Sequence, residues 1–200
     1  FLAPNSIVGC GIEMAPEAEW SGVKAKYELP DEYVLYLGRV SKAKVDKLLP
    51  YFLRCKAKYG GDAKLVLVGG FENEIRKFDS PDILFTGYVS DEEKTAIVRH
   101  ATVMVNPSPM ESLSLLMLEG MQSRIPLLVN GRSKVMKDHC RLSGAGLWYN
   151  NGRDFRKKLH RLLSDPELRR TMSEKGPAYV REHYDWEIII PKLRTLIESI

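Results

Sequence analysis

Six short apolar runs, spread between positions 33 and 149, constrain what this chain can fold into more than any other feature. They occupy 33–37, 65–68, 83–85, 103–105, 125–129 and, more weakly, 146–149. None alternates polar with apolar residues, so each reads as a strand covered on both faces, as in a parallel sheet. The stretches between them carry helix signals. Ser90 followed by Glu93 is a capping box that satisfies free amides at the start of a helix over 91–100. Asp165 before Pro166 places an N-cap ahead of proline at the first helical position, opening a helix to about 182. Phe155, Leu159, Leu162 and Leu163 fall on one face of a helix after Asn151. Strands alternating with helices predict an α/β domain.

A length of 200 residues, 44% of them hydrophobic, suffices for one full-sized core and is short for two. Pro4, Gly9, Gly11, Pro16, Gly22 and Pro30 break up the first thirty residues, which read as a linker or N-terminal extension (1–30) with at most a short strand. The chain opens Phe-Leu-Ala-Pro, so a piece of a longer protein is expected. Thirty basic against 26 acidic residues give a formal charge of +4. That excess suits a small anionic ligand, and without a run of five basic residues nucleic acid is disfavoured. Three cysteines, Cys10, Cys55 and Cys140, lack metal-like spacing and predict reduced thiols in a cytoplasmic setting. No apolar run nears the ~20 residues that span a bilayer, so a transmembrane segment is not expected.

Ligands of open α/β sheets bind beyond the carboxyl ends of the strands. After the first run comes Gly38-Arg39-Val40-Ser41-Lys42-Ala43-Lys44, a glycine turn followed by charges able to grip a diphosphate. Val68-Gly69-Gly70 is a tight turn without the third glycine of a dinucleotide fingerprint, which disfavours a nicotinamide oxidoreductase. Phe85-Thr86-Gly87-Tyr88 offers main chain and a ring against which a flat base can lie. The most informative segment is 106–120, where prolines lead into a helix expected near Glu111 or Ser112. Its first amides, on Ser112, Leu113, Ser114 and Leu115, would form a phosphate cradle at the positive end of the dipole. Glu111 and Glu119 lie eight positions apart, roughly 12 Å along a helix, the span from sugar to ribose in a nucleotide sugar. Glu119 sits among Leu115, Leu116, Leu118 and Met121 on a largely apolar helix, where a carboxylate needs partners.

Pro107-Ser108, Glu111, seven intervening residues, Glu119 and then 125–129 resemble the C-terminal donor-binding domain of family-four retaining glycosyltransferases of the GT-B fold. The resemblance implies a single Rossmann-like three-layer α/β/α domain with a mainly parallel sheet of about six strands, at 31–183. It implies that 184–200 form a C-terminal helix returning to an absent N-terminal domain. By the same resemblance Arg39 and Lys44 bind the donor diphosphate, Glu111 contacts the transferred sugar, and Glu119 binds ribose. Gly38, Gly87, Tyr88 and the amides near 113–115 complete the donor site. No metal or other cofactor is expected, and the acceptor, a glycan or lipid-linked molecule, would enter through the absent domain. That setting is cytoplasmic, and peripheral at the inner membrane face for the full-length protein. Val45 replaces the glycine that usually follows the lysine, so Lys42 is an alternative to Lys44. Arg124 and 130–133 also depart from the family pattern. None of His100, His139, His160 and His183 matches a catalytic motif. The expected function is hexose transfer from a nucleotide sugar in cell-surface polysaccharide or glycolipid synthesis, this piece alone being inactive. The alternatives are a GT-B epimerase or phosphorylase, and a non-catalytic nucleotide-binding or interaction module.

Overall fold

A computed structural model describes residues 9–14, 16–72 and 80–198. Pro4 and the rest of 1–8, read above as part of a connecting segment, lie outside them. The strands are β1 (Tyr33–Leu37), β2 (Lys64–Val68), β3 (Ile83–Gly87), β4 (Val103–Asn106), β5 (Leu127–Asn130) and β6 (Gly146–Tyr149). They form one sheet in the order β3-β2-β1-β4-β5-β6, every pairing parallel. The helices are α1 (Trp20–Lys26), α2 (Lys42–Val45), α3 (Leu48–Tyr59), α4 (Asp91–Arg99), α5 (Leu115–Gln122), α6 (Lys134–Ser143), α7 (Gly152–Ser164), α8 (Pro166–Tyr184) and α9 (Trp186–Glu198).

Alternate strand residues feed two cores. Tyr33, Leu35, Val66, Val68, Met104, Leu127 and Val129 meet α4, α5, α6 and α8 on one face. Val34, Tyr36, Leu65, Leu67, Val103, Val105 and Leu128 meet α3 and α7 on the other. The four central strands thus bury both sides, which is why their sequences are apolar without alternation. The three-layer α/β/α architecture expected from the sequence is the one observed, and the strand order reverses between β1 and β4, where such sheets open a crevice.

The helix caps follow the sequence signals. Ser90 Oγ accepts from the Glu93 amide at 3.2 Å while the Glu93 carboxylate accepts from the Ser90 amide at 3.0 Å, the reciprocal box that opens α4. Asp165 accepts from the Leu168 amide at 2.9 Å ahead of Pro166. Asn151 accepts from the Arg153 and Asp154 amides and opens α7.

Three expectations need correction. The 1–30 extension carries α1, whose Val23 enters the main core and whose Trp20 ring stacks on His100 at 3.9 Å. Glu19 caps this helix through bonds to the Ser21 and Gly22 amides, an acceptor role that Ser, Asp or Asn more commonly fill. The fifth strand begins at Leu127 and not at Ile125, because the Ile125 amide turns back to Gly120 O and Pro126 has no N–H to pair. Tyr184 closes α8, and the final helix starts at Trp186.

Residues 9–12 lie along the junction of those last helices. The Ile12 amide bonds to Tyr184 O at 3.0 Å, and a Cβ on Gly11 would stand 2.3 Å from the Trp186 ring. Cys10, Cys55 and Cys140 are free thiols. Among the described residues no helix is long and apolar enough to cross a membrane.

Candidate functional site

The turns leaving β1, β2 and β3 make the floor of a cavity of about 620 Å³, which Leu37, Gly38, Arg39, Gly69, Gly70 and Tyr88 help to line. Gly38, Gly69 and Gly87 have φ of 134°, 129° and 75°. Gly69 has no alternative, since a Cβ there would stand 2.2 Å from Gly38 O and φ is positive. The Gly38 amide bonds to Val68 O and the Gly69 amide to Gly87 O, each at 2.9 Å, so the three turns are laced together. Tyr88, 87% exposed, rises at the rim with its ring where a Cβ on Gly70 would be.

A second cavity of about 400 Å³ adjoins the first, sharing Leu37, Gly38, Arg39 and Leu116 with it. Its remaining walls include Lys44, Glu111, Leu113, Ser114 and Leu115. It lies between the turn after β1 and the turn after β4, at the reversal of strand order. The 107–114 loop is tied to the sheet: Asn106 accepts from the Ser108 amide at 3.0 Å and donates to Ser114 Oγ at 3.1 Å, and Asn130 donates to Pro107 O at 2.9 Å.

Those bonds decide where α5 starts. Ser114, not Glu111 or Ser112, is its N-cap, and Ser114 Oγ accepts from the Met117 amide. The expected cradle on Ser112 to Leu115 therefore moves toward the helix. The amides of Leu115 and Leu116 make no hydrogen bond among the described residues and sit at the positive end of the dipole. Ser112 is exposed and lines neither cavity. Glu111 stands in the loop, so the helical rise computed between it and Glu119 does not apply.

Arg39 is exposed at the boundary of the two cavities. Lys44 Nζ lies 3.9 Å from Glu111 Oε1. Burial, and after it the charge on Glu111, pushes the Tyr36 phenol up to about 12, and its hydroxyl donates to Arg39 O at 2.9 Å. Lys42 lines neither cavity, and its amide bonds to Glu72 at 3.3 Å, whereas Lys44 lines the second cavity.

Glu119 is partly buried, its side chain 13% exposed, and it does not itself line the first cavity. Oε1 meets Lys94 Nζ at 3.4 Å, and Oε2 is buried without a hydrogen-bond partner. Lys94 also meets Asp91 at 3.4 Å and lines the cavity. Gly87 does not line it, although its carbonyl fixes Gly69. Sequence reasoning missed Lys94 and Leu116. Lys94 reads as an ordinary polar residue on a capped helix, and only the packing of α4 against α5 reveals its proximity to Glu119.

The model of the family described as glycosyl transferases group 1 matches residues 22–179. Alpha-D-kanosaminyltransferase of Streptomyces kanamyceticus is 30% identical over 174 residues, covering 80% of this chain and 44% of that protein. Anabaena HepE, solved in complex with UDP and glucose, superposes with a TM-score of 0.72 at 14% identity, covering 90% of this chain and 52% of its own. The C-terminal domain of a glycosyl transferase group 1 protein from Francisella tularensis gives 0.68 at 19% identity, covering 86% of this chain and 95% of that domain. At those identities the two structures speak for the fold alone. The chain spans a third to a half of the length of the curated relatives it matches. It belongs to the glycosyl transferases group 1 family and has the fold of that family's C-terminal GT-B domain.

Proposed function

We propose that this chain holds the nucleotide-diphosphate sugar for a retaining hexosyltransferase that needs no metal ion. The observation that carries the reading is the placement of Arg39 between two adjoining cavities, with the Lys44–Glu111 pair and the unbonded amides of Leu115 and Leu116 in the second. A base and ribose fit the first cavity, beside Tyr88 and over the bare turns of Gly69 and Gly70. The diphosphate then crosses Arg39 to meet Lys44 and the start of α5, and the hexose rests against Glu111. Two cations and a helix dipole stabilise the departing diphosphate. Glu119 offers its unpartnered oxygen to the ribose. HepE supports the reading, having been solved with UDP and glucose.

The acceptor, a glycan or lipid-linked molecule, enters through a further domain in the complete enzyme, which serves cell-surface polysaccharide or glycolipid synthesis. This chain alone binds donor and transfers no sugar. Calorimetric titration with UDP, GDP and ADP and their hexose conjugates, in the presence of a chelator, tests the proposal. One nucleotide series binds, and Arg39→Ala weakens it at least tenfold; silence across the panel makes the chain an interaction module instead.

A further inference from the structure

A third cavity opens beyond the Lys44 end of the groove, walled by residues from the carboxyl ends of β1, β4, β5 and β6. Lys44 and Pro107 line both it and the second cavity. Lys47, Arg132, Asn130, Asn150, Tyr149 and the single acid Asp46 are among its other walls. Three cations against one carboxylate leave a local excess of two positive charges.

Two of these cations are not committed elsewhere. Lys47 and Arg132 form no ion pair among the described residues, and Lys44 reaches Glu111 only at 3.9 Å. The Arg132 backbone is nonetheless fixed. Its amide bonds to Asn130 Oδ1 at 3.1 Å, the same side chain donates to Pro107 O, and the Gly131 amide bonds to Tyr149 O at 2.8 Å.

An independent observation comes from Tyr149. This residue is 4% exposed and lines the cavity, yet its hydroxyl makes no hydrogen bond among the described residues. The hydroxyl is not closed off from solvent, so it opens to the cavity that the residue lines. Burial, and after it the neighbouring Tyr51, holds the phenol protonated well above its ordinary range, so it stands as a donor. A phenol donor open to the cavity beside Lys47 and Arg132, which carry no ion pair among the described residues, is the chemistry of an oxyanion site.

We propose that this cavity binds a carboxylate or phosphate group carried on the sugar side of the substrates. At about 230 Å³ it falls below the roughly 300–1,000 Å³ of pockets that enclose drug-sized ligands, so it takes a charged substituent and not a whole substrate. Only the direction of the substrate, base first and sugar toward Lys44, rests on the donor-binding reading above.

The test follows amide resonances of the intact chain during separate titrations with UDP, inorganic phosphate, glucose 6-phosphate and glucuronate. The last three produce saturable shifts at Asn150, Asn151 and Arg132, and Arg132→Ala or Tyr149→Phe weakens them at least fivefold. UDP shifts Gly69, Gly70 and Leu115 equally in all variants. Comparing UDP-glucuronate with UDP-glucose then separates the sources. A preference of about tenfold that vanishes in Arg132→Ala places the charge on the donor sugar. No such preference, with glucose 6-phosphate still binding beside UDP, places it on the second substrate. Anion titrations that leave Asn150 and Arg132 unmoved, or that are indifferent to both substitutions, overturn the proposal. Silence of UDP alone would count against the donor reading and leave the anion result standing.

Discussion

Replacing Glu119 by alanine separates a residue kept for binding from one kept for folding. Its Oε2 is buried without a partner, a state that costs about 1–3 kcal/mol in the free protein. Truncation removes that penalty. It also removes a partly exposed ion pair with Lys94, worth about 0.2–1 kcal/mol, and roughly 0.8 kcal/mol of buried methylene. Lys94 is not stranded, because Asp91 lies at the same 3.4 Å. The terms nearly cancel, so the melting temperature shifts by less than about 4 °C, the equivalent of roughly 1 kcal/mol for a domain of this size. Binding does not cancel. Losing one hydrogen bond from a ribose hydroxyl to a carboxylate forfeits about 1.5–3 kcal/mol, or roughly 10- to 150-fold in affinity for the nucleoside diphosphate. Calorimetric titration beside a thermal melt measures both. A fall in melting temperature above about 8 °C with unchanged nucleotide affinity would refute the reasoning and make Glu119 a structural residue.

Three further outcomes follow from the same geometry. Gly69→Ala sets a methyl 2.2 Å from Gly38 O at a φ of 129°; it lowers stability by at least about 2 kcal/mol and abolishes nucleotide binding, read by denaturant unfolding and titration. Ser114→Ala removes the cap of α5 and the acceptor for Asn106, lowering the melting temperature by about 4–8 °C, as a thermal melt records. Hydrogen bonds from Lys26, from the Ser90 amide and from Tyr27 lower the Glu93 carboxyl to about 2. With the folded value below the ordinary 4.5, this stabilisation is complete above that pH and is lost as pH falls toward 2. The difference in melting temperature between the native chain and Glu93→Gln therefore shrinks across that window.

The four central strands were legible because both their faces are buried, so each is written as an unbroken apolar run such as Leu65 to Val68. Caps at Ser90 and Asp165 were legible because they act within three residues. The start of α5 was not, since Ser112 and Ser114 are equivalent as local signals and the choice belongs to Asn106, whose amide reaches only Ser114. Helix α1 was hidden by Gly22 and by a glutamate cap, and its stability comes from Val23 and His100, which are distant or silent in the local pattern. Arg39, Lys44 and Glu111, singled out by type and spacing, all line the second cavity. The third cavity was not legible, because Lys47, Arg132 and Tyr149 come from three separate strand ends and no spacing joins them.

The bare turns of Gly38 and Gly69 carry a consequence for how this protein can change. Neither position tolerates a larger residue, so the floor of the first cavity is closed to variation by mutation. On the donor-binding proposal, new nucleotide preferences are then acquired from the sides, at Tyr88, Lys94 and Leu116, where side chains can be exchanged without disturbing the weave below.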